Sequence, residues 1–235
     1  MARILIGLPQ LVGKLENYAG KYDLAEVTPI DQPLPQRRKL RAWRKRVPPA
    51  FTFNVKLPEA VATFGPDYEA ALTTALEAAT HLEAAAIVLC TPATIRPTRK
   101  NRDRVAALRE RLPADGVVVA WEARGMWEPE DFIETAYDAG FLPVFDAAQD
   151  PLPPGPVAYT RVRAMGLSMA IGQDRVSQVA EQLADRREAF VVVERPIAGR
   201  LRAGLQQALQ QQIQRRTVPM IFKPAADLQA DDEEQ

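Results

Sequence analysis

The sequence predicts an α/β protein folded as a closed parallel (β/α)8 barrel of the TIM type. Three observations carry this. Eight short runs rich in β-branched and aromatic residues recur along the chain. Stretches of helical periodicity separate most of them, which implies a parallel sheet with right-handed crossovers. Eight such units in about 200 residues suit a barrel of modest size. A doubly wound open sheet is the rival; it needs fewer strands, and no G-x-G-x-x-G follows the first run.

The first two runs are RILIGL (3–8) and LAEVT (24–28). Leu40, Trp43 and Val47 then fall at helical spacing in a strongly basic stretch. FTFNVKL (51–57) alternates Phe51, Phe53 and Val55 with Thr52, Asn54 and Lys56, a period-2 strand. Pro66-Asp67 opens a helix through Leu72 and Leu76, and AAIVLC (85–90) is the fourth strand. Asn101 caps a helix carrying Val105, Leu108 and Leu112, which Pro113 stops. VVVAWE (117–122) leads to a helix started by Pro129 and ended by Gly140. LPVFD (142–146) and VAYTRV (157–162) follow. The segment between them, AQDPLPPGP, is too short and proline-rich for a helix, so the sixth helix is short or missing. Val176, Val179, Ala180 and Leu183 mark another helix before FVVVE (190–194). Leu201, Leu205, Leu209 and Ile213 mark the last. The expected organisation is one barrel domain over 1–216 and a tail over 217–235, acidic and frayed at its end.

The 235 residues are 47% hydrophobic, enough for a substantial core. Thirty basic and thirty acidic residues balance, which argues against a general nucleic-acid coat but not against a local basic patch. The single cysteine, Cys90, excludes an internal disulfide and suits a reducing cytoplasm. The opening apolar run breaks at Pro9, too early for a signal peptide, and no stretch is apolar enough to cross a bilayer. The expectation is a soluble cytoplasmic protein without membrane contact, its oligomeric state left open.

Charges recur at the C-terminal ends of the apolar runs: Glu26, Lys56, Glu122 with Arg124, Asp146, Arg161 with Arg163, and Glu194 with Arg195. In a parallel barrel these ends share one face, where active sites of such barrels lie. Alternation turns Thr52, Asn54 and Lys56 inward if Phe51, Phe53 and Val55 face the helices. Arg161 shares the parity of Tyr159, and Arg163 stands one step higher. The bland alternative is a structural ion-pair network.

These residues resemble the YecE-like family, barrel proteins of unknown function. FTFNVKLP resembles the family's F-x-F-x-x-K-x-P stretch. LAEV carries its glutamate to Glu26, and VAWEARGMW carries Glu122, Arg124 and Trp127. VFD carries an aspartate to Asp146, and AYTRV an arginine to Arg161. The resemblance implies a barrel with a polar pocket at its C-terminal face and no established reaction. The chain departs from the family pattern at its histidines: Thr63 and Arg163 stand where the family has them. The asparagines expected near Glu194-Arg195 are also absent.

Three functions compete. The first is a pocket that binds, and could turn over, a small anionic or phosphate-bearing ligand. Lys56, Arg124, Arg161, Arg163 and Trp127 are its binding candidates, and Glu26, Lys56, Glu122 and Asp146 its catalytic candidates. It requires the charged residues to converge on one cavity. The second is a non-catalytic binding or scaffold barrel. The third, least favoured, is a nucleic-acid binder using the basic runs 37–46 and 96–104. No cofactor motif is present. One histidine, His81, and one cysteine cannot make a zinc site. A magnesium or manganese site on the carboxylates is disfavoured by the adjacent Lys56, Arg124 and Arg161.

Overall fold

The computed structural model describes residues 3–30, 37–163, 172–194 and 197–217. Its elements run β1 (Arg3–Leu8), α1 (Leu15–Ala19), β2 (Leu24–Val27), α2 (Arg37–Arg46), β3 (Thr52–Lys56) and α3 (Glu59–Ala62). They continue with α4 (Tyr68–Leu82), β4 (Ala86–Thr91), α5 (Arg99–Glu110), β5 (Val118–Ala123) and α6 (Pro129–Asp138). The last are β6 (Leu142–Pro143), β7 (Val157–Val162), α7 (Gln173–Ala184), β8 (Glu188–Val193) and α8 (Ala198–Thr217). All ladders are parallel, in the order β6-β5-β4-β3-β2-β1-β8-β7. Among the described residues, a bridge from Phe145 to Thr160 joins the outer strands and closes the barrel.

The strand alternation sorts two cores. Phe51, Phe53 and Val55 pack outward with Leu72 and Ala75 of α4 and the α2 residue Leu40. Trp43 stacks on Phe53, ring centroids 6.5 Å apart. Truncating a fully buried ring such as Phe53 to alanine costs about 3–5 kcal/mol. The barrel interior is a separate cluster of Leu5, Leu24, Ala86, Val88, Ala120, Val144, Tyr159, Phe190 and Val192. Inward side chains from alternate strands fill each layer, so the barrel is packed rather than open.

The predicted strands match closely at β1 and β7, and within a few residues elsewhere. LPVFD is the exception: only Leu142–Pro143 forms a regular strand. Pro143 has no N–H to give a ladder. The seam relies instead on the Thr160 hydroxyl, which donates to the Phe145 carbonyl (2.8 Å) and accepts from the Ala147 N–H (3.0 Å).

Two short helices, α1 and α3, were not expected, being too short to show a period. Tyr18 of α1 explains that helix: its hydroxyl accepts from the Leu8 N–H (2.8 Å) and donates to the Leu24 carbonyl (3.0 Å). It ties β1 to β2 where a buried carbonyl needs a donor. The cap of α5 is Thr98, not Asn101; the Asn101 N–H donates to the Thr98 hydroxyl (3.3 Å). Asn101 itself lies in the first turn, with its amide donating to the Arg96 carbonyl (3.0 Å).

The sixth crossover has no helix, as its prolines require. Side chains of α7 and of the turn that follows it hold it in place. Gln182 accepts from the Leu152 N–H (2.5 Å) and donates to the Ala147 carbonyl (2.9 Å). Arg186 donates to the Gly155 carbonyl (2.7 Å). The expected acidic tail lies outside the described residues.

Candidate functional site

The charged ends of the strands gather at the C-terminal side of the barrel, but they form distinct groups. The deepest is built on Glu26, which is fully buried. Its register partner on β3 is Asn54. The Arg161 guanidinium reaches across from β7, with Nη1 2.7 Å from Oε1 and 2.5 Å from Oε2 of Glu26. The Tyr159 hydroxyl donates to Glu26 Oε2 (2.7 Å) and accepts from Asn54 Nδ2 (3.3 Å). Burial, then the adjacent Glu26 carboxylate, hold the Tyr159 phenol well above its ordinary pKa.

Glu122 of β5 forms the next layer outward. Arg161 Nε lies 3.2 Å from its Oε2, and Arg163 Nη2 donates to its Oε1. Arg124 Nε approaches the same Oε1 at 3.6 Å. Burial pushes the Glu122 carboxyl up, but Arg161, Arg163 and Arg124 outweigh it and leave it below the ordinary range. Burial likewise works against the Arg161 charge. The Glu26 and Glu122 carboxylates overcome it, so Arg161 stays protonated, well above its usual pKa. The polar chain therefore runs Asn54, Tyr159, Glu26, Arg161, Glu122, Arg163 from barrel interior to mouth.

Asp146 does not join this chain. Its Oδ1 accepts from the Ala148 N–H (3.0 Å), and its Oδ2 from Gln149 Nε2 (2.8 Å) and the Arg163 N–H (3.1 Å). It turns the loop after β6 and anchors it to β7. Trp127 packs edge-on against Trp121 (5.1 Å), and its indole N–H donates to the Ile95 carbonyl (2.9 Å). That bond joins the loops after β4 and β5. Gly125 makes their contact possible: its φ is +97°, and a Cβ there would sit 2.8 Å from Ala93 Cα.

Lys56 and Arg124 line one cleft of about 200 Å³, together with Leu57, Glu59, Ala62, Cys90 and Pro92. Lys56 is partly buried and makes no hydrogen bond or ion pair among the described residues. Arg124 is about half exposed, with a side-chain exposure of 56%. The Cys90 thiol is pushed up to about 12, chiefly by burial, and is no nucleophile at neutral pH. Thr63, at the family's histidine position, donates to the Glu59 carbonyl (2.8 Å) and finishes α3. Glu194 is partly buried, and Arg195 lies outside the described residues.

Asn54 and Tyr159 were not among the candidate site residues. The signal was available, since both are inward polar residues in buried strands. Asn54 Oδ1 is buried without a hydrogen-bond partner among the described residues. No cluster of three or more His, Cys, Asp or Glu residues suited to a metal ion occurs among the described residues. Nor is any described helix long and apolar enough to cross a membrane.

Much of the basic surface is engaged. Arg102 donates to both Asp131 oxygens (2.8 and 2.6 Å) and lies over the Trp127 ring. Arg44 donates to the Phe51 and Pro48 carbonyls (2.6 and 2.8 Å), and Arg41 to His81 (3.2 Å). Arg96, Arg99 and Lys100 remain exposed beside the mouth.

A solved DUF72 family protein from Enterococcus faecalis V583 has the same architecture, with a TM-score of 0.70 at 17% identity. The alignment covers 89% of this chain and 96% of that one. Another DUF72 family protein, from Thermotoga maritima MSB8, gives 0.62 at 17% identity, covering 90% and 99%. At such identities the likeness speaks to the fold alone. No curated protein matches the chain. The family model described as "Protein of unknown function DUF72" matches residues 7–226, which takes in every strand from β2 to β8 and the whole charged mouth. The chain belongs to this DUF72, or YecE-like, family.

Proposed function

We propose that the barrel mouth binds a small phosphate- or carboxylate-bearing molecule between Lys56 and Arg124. The supporting observation is the cleft of about 200 Å³ that both cations line. Neither is closely neutralised: Lys56 has no ion pair among the described residues, and Arg124 meets Glu122 only at 3.6 Å. An anion entering the cleft meets cations not already engaged closely by a carboxylate. Arg161 and Arg163 act from beneath, because Glu26 and Glu122 already occupy them. Trp127 acts through the loops it joins. Glu26, Glu122 and Asp146 serve to place cations and loop rather than to move protons, since each carboxylate is held by donors. Binding is therefore favoured over turnover, and over a nucleic-acid surface whose arginines are largely engaged within the fold.

The test is thermal unfolding with inorganic phosphate, on wild type, Lys56→Gln and Arg124→Gln. Phosphate is expected to raise the wild-type midpoint, less so in each variant, and less at high salt. A midpoint that phosphate leaves unmoved in wild type, or moves equally in all three, sinks the reading.

A further inference from the structure

The cleft contains one cation that differs in kind from its neighbours. The Arg124, Arg161 and Arg163 guanidiniums do not lose their protons in water, whereas an amine does. Lys56 is that amine, and it has neither hydrogen bond nor ion pair among the described residues. Its walls include Leu57, Ala62, Pro92 and Cys90. Arg124 lies on the same cleft, placed to hold a ligand carboxylate beside the Lys56 amine. The thiol beside it stays protonated and does not compete. Glu59 also lines the cleft and is exposed, so a carboxyl group stands near to relay protons.

We infer that the ligand of this site is an anionic carbonyl compound of the small oxo-acid class, captured reversibly by Lys56 as a Schiff base while Arg124 holds its carboxylate. The Lys56 Nζ lone pair attacks the carbonyl carbon and forms the C–N bond. The carbonyl oxygen takes up protons and leaves as water, and Nζ loses both of its hydrogens to give the C=N bond. Amine plus carbonyl becomes imine plus water, with nothing oxidised or reduced. The cleft's size suits this class: about 200 Å³ is on the order of seven water volumes. A short oxo acid fits that space. The inference rests on the proposed anion site and names its ligand.

The experiment is reductive trapping with glyoxylate and sodium cyanoborohydride, read by peptide mass mapping, with acetaldehyde as the neutral control. Lys56 is expected to be labelled by glyoxylate about ten-fold faster than the exposed Lys14, Lys39 and Lys100, as proximity to a held anion requires. Arg124→Gln, or inorganic phosphate added to wild type, should remove that advantage. Lys56→Arg, which keeps the charge, should remove the adduct. Equal labelling of all lysines overturns the inference. So does a Lys56 that takes acetaldehyde as fast as glyoxylate. If labelling is uniform yet phosphate still raises the unfolding midpoint, the Schiff base falls and the anion site stands. If phosphate has no effect and glyoxylate shows no preference for Lys56, both fall.

Discussion

Arg161 and Glu26 lie 135 residues apart in the chain, on β7 and β2, and meet inside the barrel at 2.5 and 2.7 Å. The pair is buried, so its members are costly to separate. Glu26→Gln or Arg161→Met alone should destabilise the protein by about 3–5 kcal/mol, because each strands a buried charge. The double replacement should lose less than either single change. Urea denaturation of the three variants checks this; additive losses would refute it.

The Glu122 carboxyl titrates below its ordinary value of 4.5. A depressed carboxyl contributes stability that is fully present above its unfolded pKa. That contribution fades as pH falls through the lower folded value. The stability gap between wild type and Glu122→Gln should therefore stay constant from about pH 7 to about pH 5 and narrow below that. Denaturant curves across this range measure it. A gap that opens on acidification would contradict the arginine-stabilised carboxylate.

Thr160 carries two hydrogen bonds at the barrel seam. Thr160→Val keeps the shape but leaves the Ala147 N–H wanting its partner, and takes one donor from the Phe145 carbonyl, which keeps the Arg161 N–H (3.3 Å). The expected loss is about 1–3 kcal/mol. Amide exchange at Ala147 and Arg161 should quicken more than at β3. Unchanged exchange at the seam would count against this role.

Gly125→Ala places a Cβ 2.8 Å from Ala93 Cα at a φ of +97°. The loops after β4 and β5 must part, at about 1–3 kcal/mol. The Trp127 indole should also lose its hold on Ile95, which tryptophan fluorescence reads. Gly116→Ala is the control: its φ is also positive, at +75°, but a Cβ there meets nothing within 4 Å. Equal losses at the two sites would show that the loop contact carries no energy.

The barrel was legible because its strands announce themselves by local pattern. FTFNVKL alternates, and its alternation alone put Phe53 under the helices and Lys56 at the mouth. β6 was overread because LPVFD is apolar enough for a strand while Pro143 removes a ladder donor. Helices α1 and α3 span too few residues to show a period. In the site, strand-end charges look alike in sequence. Only folding reveals that Asp146 spends its oxygens on Ala148, Gln149 and the Arg163 backbone, whereas Lys56 has no hydrogen bond or ion pair among the described residues. Which cations are neutralised depends on strands far apart in the chain, and no local pattern encodes that.

Among the described residues the two long edges of the sheet are stapled over a short stretch: the Phe145–Thr160 bridge, the Thr160 hydroxyl bonds and the Asp146–Arg163 bond. Such a staple is where the cylinder can breathe at least cost. Asp146 couples that motion to the mouth, since it holds the Arg163 backbone while the Arg163 side chain holds Glu122. Arg163 thus belongs to both, its backbone to the seam and its side chain to the mouth. The closure of the cylinder and the charged mouth therefore meet at a single residue.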